Sequence, residues 1–241
     1  MYRSVYDLKA FYNTDVGHMV QRVIGNYIRD IWPGTKGLRI MGRGYALPYL
    51  SLFEEECERL FSVMPREQGA YHWPSEEKNL TLLASESELP LEPASVDRIL
   101  LMHDLEFAEH LRPSLAEIWR VLKPNGRLLV IVPNRAGMWS HAEWSPFGTG
   151  TPYTLSQICY YLKDNMFIQE RTREALFMPP LRFSAALKSA DFLEKIGSTF
   201  LPFAGGVHIV EASKQLYEGI YRGQTQSTKI RPGLVPKPLQ S

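Results

Sequence analysis

Apolar positions change their spacing along this chain, and the change predicts its elements. Between residues 16 and 32, Met19, Val20, Val23, Ile24, Tyr27, Ile28 and Ile31 fall on one stripe at helical spacing, and the stretch Trp32-Pro33-Gly34 stops that helix. "GLRIM" then reads as a short buried strand ending at Gly42, "LPYLSLFEEECERL" as a helix, and "ERLFSVM" as a second strand closed by Pro65. Residues 66–79 are polar and turn-rich, and no element is assigned there. "NLTLLAS" predicts a strand, and after the proline-broken "ELPLEPASVD", "RILLMHD" predicts a central strand without alternation, as when both faces are covered. "RPSLAEIWRVLKPNG" predicts a helix with a lysine in its last turn before Pro124, Asn125 and Gly126, followed by the strand "RLLVIVPN".

A long aromatic loop over 134–152 leads to the helix "YTLSQICYYLKDNMF", for which Thr154 is the expected N-cap. Two late strands, "IQERTREALF" and "GVHIVEASK", flank the helix "SAALKSADFLEKIG". Strand–helix alternation through the first two thirds predicts an α/β fold with a mostly parallel sheet and helices on both faces, finished by an antiparallel pair. The organisation expected is an N-terminal helical segment over 1–35, one domain over 36–222, and a disordered, proline-rich tail over 223–241.

Composition narrows the partners. The chain has 241 residues and a formal charge of +1, which offers no strong field to nucleic acid, and no apolar run approaches the ~20 residues of a membrane span. The N-terminus lacks the apolar core of a signal peptide, so a cytoplasmic protein is expected. Cys57 and Cys159 stand far apart without a nearby Cys or His at ligand spacing, so free, buried thiols are expected and neither a disulfide framework nor a metal site.

"ESELPLEPASVDRILLMHDLEFAEHLRPSLAEIWRVLKPNGRLLVIVPN", residues 86–134, resembles the class I S-adenosylmethionine-dependent methyltransferases, closest to the group called methyltransferase type 11. The resemblance is carried by Leu89-Pro90, by Ser95-Val96-Asp97 entering a strand, by His103 with Leu105-Glu106, and by the run from Arg120 to Gly126. It implies a Rossmann-like seven-stranded sheet, S-adenosyl-L-methionine as cofactor, and a small-molecule methyl acceptor. On this resemblance the cofactor-binding positions are Gly42, Gly44, Tyr45, Ala46, Met64, Ser85, Glu86 and His103, with Tyr12, Trp139, His141 and Trp144 facing the substrate.

The family pattern is thinned here. Ile40 stands where an acid usually precedes the first glycine, Ser62 and Met64 where an acid ends the second strand, and Ser85, beside Glu86, where another acid lies near the adenine. A charge-assisted hydrogen bond is worth roughly 1.5–3 kcal/mol, so losing two would weaken cofactor binding by on the order of a hundredfold or more. An inactive methyltransferase-fold protein serving as a binding partner therefore stands as the alternative.

Methyl transfer is an in-line displacement and needs a base only when the acceptor arrives protonated. His103, at the mouth of the central strand, is the candidate base; its other reading is a histidine bonded to backbone beside the cofactor. Asp104 has the expected role of a cap for the segment that follows. Tyr45 has two readings, stacking on the cofactor or packing under the first helix. Trp139, Trp144 and Phe147 form either an apolar lid or an anchor for the long loop. Arg112, Arg120 and Lys123 are expected on the solvated face of one helix.

Overall fold

A computed structural model describes residues 4–74, 78–181, 190–200 and 204–214. The tail expected over 223–241 and the first half of the helix expected over 184–197 lie outside them. The chain begins with α1 (Val5–Tyr12) and α2 (Asp15–Ile31). The predicted stripe of α2 is its buried face, Thr14 caps it by accepting from Gly17 N at 3.0 Å, and Trp32 ends it. Gly17 makes the corner possible, because a Cβ there would meet the backbone of Phe11 and Tyr12.

The seven strands are β1 (Arg39–Gly44), β2 (Arg59–Pro65), β3 (Thr81–Ala84), β4 (Val96–Met102), β5 (Leu122–Pro133), β6 (Phe167–Ala175) and β7 (Val207–Lys214). They lie in the order β3-β2-β1-β4-β5-β7-β6, with every pair parallel except the two that β7 makes. Successive residues of the central strands enter opposite cores. Ile40, Leu100, Leu129 and Ile131 pack toward α1 and α2, whereas Met41, Ile99, Leu128 and Val130 pack toward α4 (Leu111–Val121) and α5 (Leu155–Asp164). Burial on both faces is why these strands read as unbroken apolar runs.

Three local expectations are corrected. The helix expected over 47–60 shrinks to α3 (Leu47–Leu50) and a 3-10 turn at Ser51–Phe53. The chain must turn back there, with Glu58 N donating to Leu38 O at 2.9 Å so that β2 can start beside β1. The helix expected to run to Lys123 ends at Val121, because Leu122 is already extended and pairs with Val96. Residues 123–126 then bulge, Asn125 takes a positive φ of 63°, and Lys123 pairs with Asp97 at 2.8 Å. Arg120, expected to be solvated, bonds Glu117 and the carbonyls of Leu89 and Leu91. Thr154 caps α5 as the sequence indicates, and Gln157 completes a capping box with it. Cys57 and Cys159 are free but only half-buried. The last described helix, α6 (Ala190–Phe200), sits between β6 and β7.

β1 and β4 meet at the reversal of strand order, and Gly44 is the residue that permits their closeness. Its φ is +69°, and a Cβ would meet the carbonyl oxygen of Met102 and, at 2.8 Å, Asp104 Cβ. Gly44→Ala is expected to destabilise the chain by about 2 kcal/mol. Urea denaturation should show this as a lower midpoint at unchanged m-value.

Candidate active site

In open α/β sheets the carboxyl ends of the strands at a reversal of order form the ligand crevice. Here those ends are Gly44 and Met102, joined by Tyr45 N donating to Met102 O at 2.7 Å. Gly42 lies within β1, opposite Ser62 and Leu100, and a Cβ on it would stand 2.8 Å from both Ala46 Cβ and Leu50 Cδ1. Its bareness makes room for α3. Ala46 is the N-cap of α3, and Met64 ends buried in β2.

The chain leaves β4 through His103, which is fully buried and has a positive φ of 50°. Its Nδ1 lies 3.1 Å from Glu106 Oε1, while Asp104 N donates to Glu106 Oε2 at 3.1 Å. An ionised carboxylate only accepts, so in a neutral imidazole beside it Nδ1 carries the hydrogen and Nε2 is the acceptor. The hydroxyl of Tyr12 fills that role, 2.9 Å from Nε2, and stands 3.2 Å from the hydroxyl of Tyr49. The result is a line of four side chains: Tyr49, Tyr12, His103, Glu106. Backbone does not hold this histidine's ring, as one sequence reading had it; a carboxylate and a phenol do.

Tyr12 belongs to α1, and α1 is thereby seated over the strand ends. Its ring stacks on Tyr45 at 5.5 Å and 29°, meets Phe11 edge-on at 5.3 Å, and meets Tyr49 edge-on at 6.0 Å. Tyr45 thus packs under the first helix and reaches Tyr71 through its hydroxyl at 3.2 Å. Burial pushes the phenols of Tyr12, Tyr45 and Tyr49 well above their ordinary range.

Beneath this aromatic layer lies a buried charge. Arg43, 1% exposed, donates to Ser114 Oγ at 2.7 Å and places Nε 3.2 Å from Asp104 Oδ1. That approach is close but lacks hydrogen-bond alignment, so both Asp104 oxygens remain without a hydrogen-bond partner. Asp104 is therefore not a helix cap. Burial pushes its carboxyl up to about 6, against the lowering effect of Arg43, with Glu106 adding to the rise. Glu86 goes up to about 7 for the same first reason, burial, with Asp104 second. Ser85, next to it, is half-buried and bridges to Glu88. Gln68 donates through Nε2 to His103 O at 3.1 Å and leaves Oε1 unpartnered.

The aromatic loop divides. Trp139 is fully buried and donates Nε1 to Met178 O at 2.8 Å, the geometry of an anchor. Phe147 lies 4.9 Å from the His103 ring, and Trp144 is half-buried 6.2 Å from Phe11. His141 is exposed. A groove of about 550 Å³ lies where α1 turns into α2, lined by Phe11, Thr14 and Trp144 among others. It is one ring away from the strand ends, since Phe11 also contacts Phe147 at 6.3 Å.

Residues 41–130, less than half of the chain, match the model of a family described as a methyltransferase domain. The sheet order and its antiparallel β7 agree with that match. This is the class I methyltransferase fold. One solved structure sharing it is a chain of the complex between the Haloferax volcanii Trm112 methyltransferase activator and a methyltransferase, at 16% identity and a TM-score of 0.61, covering 90% of this chain and 100% of that one. Another is an S-adenosylmethionine-dependent methyltransferase from Mesorhizobium loti, at 15% identity and a TM-score of 0.54, covering 78% and 96%. A third is the [4+2]-cyclase SpnF, at 16% identity and a TM-score of 0.51, covering 81% and 82%. No curated protein matches the sequence.

The donor–acceptor chemistry of this crevice fits a cofactor of the adenosyl kind. A nucleoside with an amino acid tail brings hydroxyl and amino donors, and the unpartnered buried atoms of Gln68, Glu86 and Asp104 are acceptors. The sequence alone pointed to Glu86, Tyr12 and His103. It missed Gln68, Arg43, Glu106 and Tyr49; only Glu106, three residues past the candidate base, carried a readable signal. Among the described residues, no group of His, Cys, Asp and Glu side chains could hold a metal ion, and no helix is long and apolar enough to cross a membrane.

The two perturbed carboxyls set a pH dependence. Their folded values, about 6 and about 7, lie above the ordinary 3.8 and 4.5, so the folded chain holds these protons more tightly than the unfolded one. Their contribution to stability is full below the ordinary values and is lost as pH rises through the folded ones. Glu86→Gln is expected to melt above wild type at pH 7 and beyond, the difference closing below about pH 4.5.

Proposed function

We propose that this chain is an S-adenosylmethionine-dependent methyltransferase acting on a small-molecule acceptor, with His103 as general base. The observation that carries the reading is the imidazole at the reversal point, fixed by Glu106 so that Nε2 faces the Tyr12 hydroxyl, the position an acceptor's hydroxyl would take. S-adenosylmethionine supplies an activated methyl group. Gln68, Glu86 and Asp104 would hold its hydroxyl and amino groups. Glu106 holds the tautomer of His103, and Nε2 takes the acceptor's proton. Phe147 and Phe11 keep water from that proton transfer.

Binding of ligand at this site requires α1 to give way, since Tyr12 now fills the mouth. That closure, together with Ile40 and Met64 in place of acids, favours a second reading, a methyltransferase-fold protein without catalysis. The fold alone does not decide between them, as it hosts more than one chemistry.

Calorimetric titration with S-adenosylhomocysteine separates the two. Methyl transfer predicts binding with Kd below ~1 mM, while absence of both heat and thermal shift at millimolar ligand sinks it. In a methyl-transfer assay, His103→Asn is expected to lower kcat by about 10²–10⁴-fold with little change in the affinity for S-adenosylhomocysteine.

A further inference from the structure

The Tyr12 ring occupies a place whose chemistry is legible from its walls. One face lies against Tyr45, stacked at 5.5 Å, and the edges of Tyr49 and His103 close two other sides. All polar contact is gathered at one point, where the hydroxyl meets His103 Nε2 at 2.9 Å and the Tyr49 hydroxyl at 3.2 Å. Such a slot accepts a flat apolar ring with one group able both to donate and to accept.

We propose that the methyl acceptor is a phenol, and that Tyr12 holds that acceptor's place at the mouth of the site. The assignment rests on the methyl-transfer reading for its chemistry but not for its binding test. A carboxylate would turn only acceptors toward Nε2, itself an acceptor, and an aliphatic ammonium would forgo the ring contacts. A phenol also explains the dyad. Its ordinary pKa of about 10 keeps it protonated at neutral pH, and only an acceptor that arrives protonated needs a base at all. In the step, the phenolic oxygen forms the O–CH3 bond with one of its electron pairs while its proton passes to His103 Nε2. The S–CH3 bond of S-adenosylmethionine breaks, and sulfur keeps that pair as the thioether of S-adenosylhomocysteine.

α1 is attached in a manner compatible with this exchange. Besides the Tyr12 contacts, α1 is held by the buried Val5, Leu8 and Phe11 and by Val5 N donating to Gln68 O at 2.8 Å, and the groove of about 550 Å³ adjoins it at Ala10 and Phe11. Displacing one ring admits another of the same kind.

Thermal denaturation of Tyr12→Ala with p-cresol, which carries the phenol ring that the variant lacks, tests the slot without any cofactor. Saturating p-cresol is expected to raise the melting temperature of the variant by about 4 °C or more, and toluene by clearly less. Equal effects of the two, or none from either, overturn the proposal. Should Tyr12→Ala fail to fold, hydrogen exchange on the wild-type chain decides. p-Cresol is then expected to speed exchange of the α1 amides, and unchanged rates sink the idea. With S-adenosylmethionine added, 4-methylanisole should form and be lost in His103→Asn. Binding of p-cresol without methylation would remove the methyl-transfer reading and overturn the acceptor assignment with it. Binding of S-adenosylhomocysteine without p-cresol binding would leave methyl transfer standing and remove the phenol.

Discussion

The hydrogen bond from Tyr45 N to Met102 O, 2.7 Å long, closes the seam between β1 and β4 just past their last paired residues. Everything that gives the site its chemistry is a consequence of that seam. It draws the backbone of residues 44 and 102–104 so close that only glycine fits at Gly44. On the other side of the seam His103 takes a positive φ of 50°, a conformation that costs a buried non-glycine residue about 1–3 kcal/mol. Such strain persists only where surroundings over-determine it. Here Gln68 holds the His103 carbonyl, and Glu106 and Tyr12 hold the two ring nitrogens. The turn therefore aims the imidazole into the crevice instead of along the strand.

The polar groups under the seam are poor candidates for stabilisers. Arg43 and Asp104 are both about 1% exposed, and a buried pair with imperfect alignment seldom recovers its desolvation cost. Asp104 shows as much, because burial outweighs the guanidinium beside it and its carboxyl rises. Among the described residues, Gln68 Oε1, Glu86 Oε1 and both Asp104 oxygens lie buried near the strand ends without a hydrogen-bond partner. A core built only for stability would have replaced them with apolar groups of similar volume. Their persistence in a crevice of this fold is understandable if a donor-bearing ligand satisfies them.

How much of this the sequence disclosed depended on the range of the interactions involved. The strands of the central sheet were legible because burial on two faces writes itself as contiguous apolar runs, and α2 and α5 because stripe and capping box are local signals. α3 and the end of α4 were misjudged because tertiary demands overrode propensity. β2 had to begin beside Arg39, and Leu122 had to pair with Val96. The family resemblance located the crevice, and His103 was singled out by position alone. Its partners were hidden. Tyr12 lies 91 residues away and Tyr49 joins through Tyr12, separations that no spacing pattern connects. Glu106 sat within reach of inspection but read as part of a family motif until the ring geometry gave it a role.

The thinned acidic pattern and the aromatic closure belong to one arrangement. A carboxylate in place of Ile40 or Met64 would lie against the layer where Tyr45, Tyr49 and Tyr12 now pack, and the uncompensated charge would be costly there. Apolar residues at those positions let α1 seat fully and let Tyr12 reach Nε2. A ligand that enters only when α1 lifts would bind in proportion to the fraction of open chains. Every ~1.4 kcal/mol by which α1 favours closure reduces apparent affinity tenfold. Apolar residues in place of the usual acids and a well-seated helix act in the same direction. A ligand that offered only the usual nucleoside contacts would lose on both counts. One that also replaced the Tyr12 ring and hydroxyl would recover the contacts broken by opening. In such a protein, acceptor and cofactor are coupled through a shared obstacle: whichever displaces α1 first spares the other that free energy. Under the proposed function, cooperative binding would follow from Tyr12's position, with no contact between the two ligands required.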